Sequence, residues 1–88
     1  MTIQDKIRDL LNKTLDIHFL KIIDDTSLHK GHLEAKKNKG GHFKLQIVSK
    51  DFQGRSPLER HQMVYKALAE LMDVEIHALA IQTYLPES

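Results

Sequence analysis

Phe52-Gln53-Gly54-Arg55-Ser56-Pro57-Leu58-Glu59-Arg60-His61-Gln62-Met63-Val64-Tyr65, followed after an apolar run by Glu75-Ile76-His77-Ala78-Leu79, is the stretch whose reading decides the fold. Ser56 has the side chain of a helix N-cap, a hydroxyl able to accept an orphan amide hydrogen bond. Pro57 at the first helical position forfeits no bond, and Glu59 can reach back to close a capping box. Leu58, His61, Val64, Tyr65, Leu68, Leu71 and Met72 recur at helical spacing. The spacing predicts a helix over 57–72 with that stripe facing a core, and makes His61 a structural histidine. The residues near 75–83 then read as a strand. Small residues at 78 and 80 favour Ile76, Ala78 and Ala80 facing inward, with His77 facing out.

Working back toward the N-terminus, His42 to Ser49 is the clearest strand. Phe43, Leu45 and Ile47 fall on one face, and His42, Lys44 and Gln46 on the other, the alternation of a strand with one wet side. His18 to Ile23 is a second strand candidate, rich in residues that suit a pleated surface, with an end near Asp24. Thr2 caps a first helix near 3–14, where Ile3, Ile7, Leu10 and Leu11 share a face. Leu28 to Gly41 is polar, lysine-rich and closed by two glycines, the composition of a long loop.

Eighty-eight residues are expected to make one domain, 1–88, that buries roughly 60% of its unfolded surface. No run of about 18 apolar residues is present, so no membrane span is expected. Nor is the N-terminus built like a signal peptide, and a cytoplasmic protein is the expectation. With no cysteine, the chain can form neither a disulfide nor an all-thiolate metal site of its own. Six histidines form the reserve of metal-binding side chains. The net charge of +1 exerts no global pull on nucleic acid.

The element order is helix, strand, strand, turn, helix, strand. The first two strands can pair antiparallel. The third follows a helical crossover and can lie parallel to a neighbour. The fold class is therefore α+β, a two-layer sandwich with both helices on one face of a three-stranded mixed sheet.

Asp24-Asp25-Thr26-Ser27-Leu28-His29-Lys30-Gly31-His32, His42-Phe43, Ile47-Val48-Ser49, Phe52-Gln53-Gly54, Arg60-His61, Val64-Tyr65 and Ile76-His77-Ala78-Leu79 together resemble the BolA family in order and spacing. The likeness covers nearly the whole chain. It implies a fold similar to the second type of KH domain, in agreement with the element order. It also implies a partner, a monothiol glutaredoxin, and a bridging [2Fe-2S] cluster shared with it in iron and redox homeostasis, with none bound by the chain alone. His77 corresponds to the family's main cluster ligand. The second ligand comes from the loop between the first two strands, where His29 and His32 are the candidates and His29 fits the register better. The resemblance further implies a DNA-binding transcriptional regulator of morphology and stress response.

Imidazole can replace thiolate on one iron of such a cluster, as in Rieske centres. Without cysteine, the other iron must take its thiolates from the partner, so the composition permits a shared cluster and disfavours a private one. Double-stranded DNA is the second expected partner, through Arg55, Arg60 and Lys66 on and beside the 56–72 helix. No GXXG clamp of the KH type is present. An enzyme is not expected, nor a small-molecule substrate. There is no cysteine nucleophile, no glycine-rich phosphate loop and no HExxH motif, and the adjacent Asp24 and Asp25 point opposite ways on a strand.

Overall fold

Both helices begin at capping boxes. The Thr2 hydroxyl accepts from the Asp5 amide at 3.1 Å while the Asp5 carboxylate accepts from the Thr2 amide at 3.1 Å, and α1 follows at Ile3–Thr14. Ser56 and Glu59 repeat the exchange at 3.1 and 2.9 Å ahead of α2, Pro57–Ala67. This computed structural model describes residues 1–25, 41–72 and 74–87. Within them lie β1 (Ile17–Asp24), β2 (Gly41–Ser49), a single 3-10 turn (Lys50–Phe52) and β3 (Ile76–Tyr84).

The strands form one sheet in the order β1-β2-β3. β1 pairs antiparallel with β2, and β3 pairs parallel with β2. The α+β two-layer expectation holds. α1 and α2 both pack on the face that carries Phe43, Leu45 and Ile47. The core joins these three to Ile7, Leu11, Val64, Leu68, Leu71 and Ile76, each such side chain contributing on the order of 1.5–3 kcal/mol when buried. Phe52 is fully buried beneath the 3-10 turn, and buried Ser49 accepts from the Asp51 amide at 3.1 Å to start that turn. An ion pair, Lys6 Nζ to Glu75 Oε1 at 2.7 Å, fastens α1 to the segment entering β3.

Three expectations are corrected. First, α2 stops at Ala67 instead of residue 72. Leu68 leaves helical geometry at φ −102°, ψ 13°. The chain then coils tightly, with the amides of Met72, Glu75 and Ile76 donating to the carbonyls of Leu68, Leu71 and Leu71. Leu71 is still drawn into the core, so its apolar spacing survives where the helix does not.

Second, α2 is rotated relative to the expected stripe. Val64 and Leu68 are buried, with Met63 and Ala67 packed beside them. His61 is exposed, as are Leu58 (67%) and Tyr65 (39%). A short helix crossing a three-stranded sheet buries only a narrow stripe, and His61 lies on the adjacent one.

Third, β3 changes parity. Gly41 pairs with Ile76, and the next partners are His42 and Ala78, so His77 is one extra residue in β3. Such a bulge shifts every later side chain to the opposite face. Ile76 is buried as expected, but beyond His77 it is Ile81 and, partly, Leu79 that turn inward, while Ala80 is exposed. A like irregularity in β1 leaves His18 as the extra residue between Ile17 and Phe19.

Candidate functional site

His77 is the extra residue of that bulge. Ile76 before it is anchored in the core, and Leu79 after it packs against the core. The inserted residue is left exposed at the start of β3. Bulges in parallel pairs are uncommon, and they re-aim side chains beside functional sites. Across the strand pair stands His42, half-buried, its ring centroid 5.2 Å from that of His77 and its plane tilted by 51°. Sequence reading placed His42 in water beside Lys44 and gave it no role. The signal for the pair lies in the β2–β3 register, which a single strand's alternation does not reveal.

The histidine pair occupies the end of the sheet where β1 finishes and β2 begins. The Asp25 amide donates to the His42 carbonyl at 2.7 Å, and the Gly41 amide to the Glu75 carbonyl at 2.9 Å. A shallow cavity of about 230 Å³ opens there, lined by Asp25, His42, Phe43, Ala78, Leu79 and Ala80. His29 and His32 belong to the segment 26–40 and lie outside the described residues. Its two described flanks, Asp25 and Gly41, both lie at this end of the sheet. Among the described residues no group of three histidine, aspartate or glutamate side chains is arranged to hold a metal ion. The donor set is therefore that of a half-site: an exposed imidazole, a second one beside it, and no thiolate. Such a set would fit an iron–sulfur cluster only with thiolates supplied from outside this chain.

The three basic residues expected at a nucleic-acid surface are not brought together. Arg55 and Arg60 are neighbours at the start of α2: the Arg60 Nε donates to the Arg55 carbonyl at 2.9 Å, and Arg55 lies 3.8 Å from the Glu59 carboxylate. Lys66 lies six residues further along α2, about 9 Å up the axis and about 120° around it. It borders a separate groove of about 520 Å³ between the two helices, with Lys13 and Glu70 at its edge and Leu10, Leu15, Met63 and Ala67 in its walls. The amide and hydroxyl of Ser56 hold the Glu59 carboxyl below its ordinary pKa, with a smaller contribution from Arg55. Hydrogen bonds from Thr2 do the same for Asp5.

No helix among the described residues is long and apolar enough to cross a membrane.

The family profile described as BolA-like protein matches residues 11–88. The DNA-binding transcriptional regulator BolA of Haemophilus influenzae is 37% identical over 87 residues, an alignment spanning 99% of this chain and 81% of that protein. The regulator of the same name from Escherichia coli is 34% identical over 84 residues, 96% of this chain and 76% of that one. Among solved structures, BolA1 from Arabidopsis thaliana is similar with a TM-score of 0.82 at 35% identity, covering 98% of this chain and 94% of that one.

Proposed function

The chain belongs to the BolA-like protein family, and from that premise we propose that it is a non-enzymatic adaptor that binds a monothiol glutaredoxin and lends His77 to a [2Fe-2S] cluster shared by the two proteins. The observation that carries this reading is the exposed His77 at the head of β3, with a second imidazole 5.2 Å away. When bound, the cluster supplies one-electron redox chemistry. The chain supplies the neutral imidazole nitrogen of His77, a second imidazole from His29 or His32, and a rigid strand on which His77 is presented. His42, in ring contact, restricts the orientations open to His77, as groups beside a metal-ligating histidine do. All thiolate ligands come from the partner, because this chain has none. The test is anaerobic iron–sulfur reconstitution of the co-purified pair, read by visible absorption. The expected result is a mixed complex whose spectrum differs from that of the glutaredoxin homodimer, since imidazole replaces thiolate on one iron. A mixture that yields only the homodimer spectrum removes the reading.

A second reading is favoured by the relatives named as DNA-binding transcriptional regulators: a regulator of morphology and stress response that contacts double-stranded DNA through Arg55 and Arg60. Such binding is electrostatic and falls steeply with salt, because each neutralised phosphate releases counterions. Duplex titrations with Arg55→Ala/Arg60→Ala should give weaker binding and a shallower salt slope. Identical curves for variant and wild type would remove α2 from it.

A further inference from the structure

The face of the sheet opposite the helices has its own order. On β2, Lys44, Gln46 and Val48 alternate with the buried Phe43, Leu45 and Ile47. Register extends these outward positions across all three strands. Val48 is flanked by Phe19 on β1 and Tyr84 on β3, and the next outward rung is Lys21, Gln46 and Gln82. Phe19 and Tyr84 are 54% and 47% exposed. With neighbouring strands about 4.8 Å apart, their Cα atoms stand about 10 Å apart on either side of Val48. Tyr84 is tethered: its hydroxyl meets the Gln82 side-chain carbonyl at 3.4 Å, and that carbonyl also accepts from the Gln46 amide at 3.0 Å. Lys21 and Lys44 add two cations, neither in an ion pair among the described residues. No carboxylate stands on these rungs. Asp24 and Asp25 lie beyond them at the His42 end, and Asp16, ahead of β1, pairs with Lys50 at 3.1 Å.

We infer that this open face binds single-stranded nucleic acid, with unpaired bases stacking on Phe19 and Tyr84 and backbone phosphates drawn to Lys21 and Lys44. Aromatic rings displayed on an open sheet are how such surfaces hold splayed bases, and every base has a π-face to offer. The charge is complementary, and the linked Gln46–Gln82 amides offer polar groups to base edges between ring and lysine. Bases in a duplex are already stacked on one another, so the site prefers single strands. This surface is distinct from the Arg55–Arg60 corner and does not depend on the cluster.

The test is fluorescence anisotropy of the intact protein with labelled twelve-nucleotide oligo-dT, the matching oligo-U and a duplex of equal length. Single strands should bind more tightly than the duplex. Phe19→Ala and Tyr84→Ala should each weaken single-strand binding by about 5- to 100-fold, with unchanged thermal melts because both rings are exposed. Phe19→Leu/Tyr84→Leu keeps apolar area without an aromatic face and should be nearly as weak as the double alanine variant. Lys21→Ala or Lys44→Ala should each reduce the salt slope by about 0.7. Three results would overturn the inference: a preference for duplex, wild-type affinity in the Phe19/Tyr84 variants, or sedimentation showing that these rings serve self-association in a protein that binds no oligonucleotide.

Discussion

His42 on β2 and His77 on β3 stand with ring centroids 5.2 Å apart, and His77 is the one residue too many in β3 opposite Gly41 and His42, after which the strand changes parity. Without the extra residue, the alternation that buries Ile76 would continue through Ala78 and Ala80 and would turn Leu79 and Ile81 out to solvent. One insertion thus satisfies the core on both sides of it, with the His77 imidazole exposed between them.

That imidazole can be removed at little structural cost. His77→Ala should abolish the distinct spectrum of the mixed glutaredoxin complex while its thermal midpoint stays near wild type, since exposed substitutions usually fall within about 0.5 kcal/mol. His29→Ala and His32→Ala should separate the loop ligand from its bystander. His42→Ala should broaden or shift the cluster signal without eliminating it. Absorption and electron paramagnetic resonance of the reconstituted complex measure all four. An unaltered mixed-complex signal in the His77 variant leaves the regulator reading in the lead.

The neighbouring stripes of α2 should separate cleanly in denaturation. His61→Ala, at an exposed position, should change stability by less than about 0.5 kcal/mol. Leu68→Ala, which empties a fully buried site, should cost about 2–5 kcal/mol. Urea unfolding of the two variants measures the difference, and a large loss in His61→Ala would contradict the rotation of α2 seen here.

The capping boxes should give the protein an acid-sensitive component of stability. Asp5 and Glu59 have folded pKa values below their ordinary ones because the caps hydrogen-bond to the ionised carboxylates. A lowered folded value means that the unfolded chain binds protons first. The contribution is therefore complete above the unfolded carboxylate pKa and is lost as pH falls below about 5 and through the folded values. Ser56→Ala should cost about 0.5–2 kcal/mol at neutral pH. It should also flatten the acid limb of a plot of urea midpoint against pH. An acid limb as steep as wild type would mean that the caps are not its source.

Tyr65 lies on the exposed side of α2, yet its hydroxyl donates to the Leu79 carbonyl at 3.1 Å, tying the helix to β3. Tyr65→Phe keeps the ring and removes that tie. The expected loss is at the low end of the usual 0.5–1.5 kcal/mol for a hydrogen bond, with faster amide exchange confined to the middle of β3. Exchange mapped by NMR locates the effect, and uniform acceleration over the whole sheet would contradict it.

Most of the fold is legible in the chain because its signals are local. Ser56-Pro57 with Glu59 starts α2 where the side chains dictate, and the alternation Phe43, Leu45, Ile47 fixes the inner face of β2. The end of α2 was not legible, since Leu68 and Leu71 keep helical spacing through a tight turn. Nor was the parity of β3, because a bulge is set by the partner strand: Ile76 and Ile81 cannot both face inward on a regular strand, and only pairing with Gly41 and Leu45 shows where the slip occurs. His77 could be named from family likeness and placed outside the core from its parity, whereas His42 became visible only with the β2–β3 register. Arg55, Arg60 and Lys66 looked alike as basic residues on and beside one helix, and helical geometry sets Lys66 apart from the other two.

The two histidine irregularities have a further consequence at the borders of the sheet. β1 and β3 are both outer strands, and a straight outer strand offers its unpaired amides and carbonyls as a template on which another chain can add. Here β1 is interrupted at His18 and β3 at His77, and the Leu79 carbonyl is already engaged by Tyr65. Both irregularities fall at the entry to their strand, and the pairing of Phe19–Asp24 and Ala78–Tyr84 beyond them is regular. A chain adding to either border would therefore meet a break in register at the strand's entry, where the histidines stand, and a regular template only beyond it.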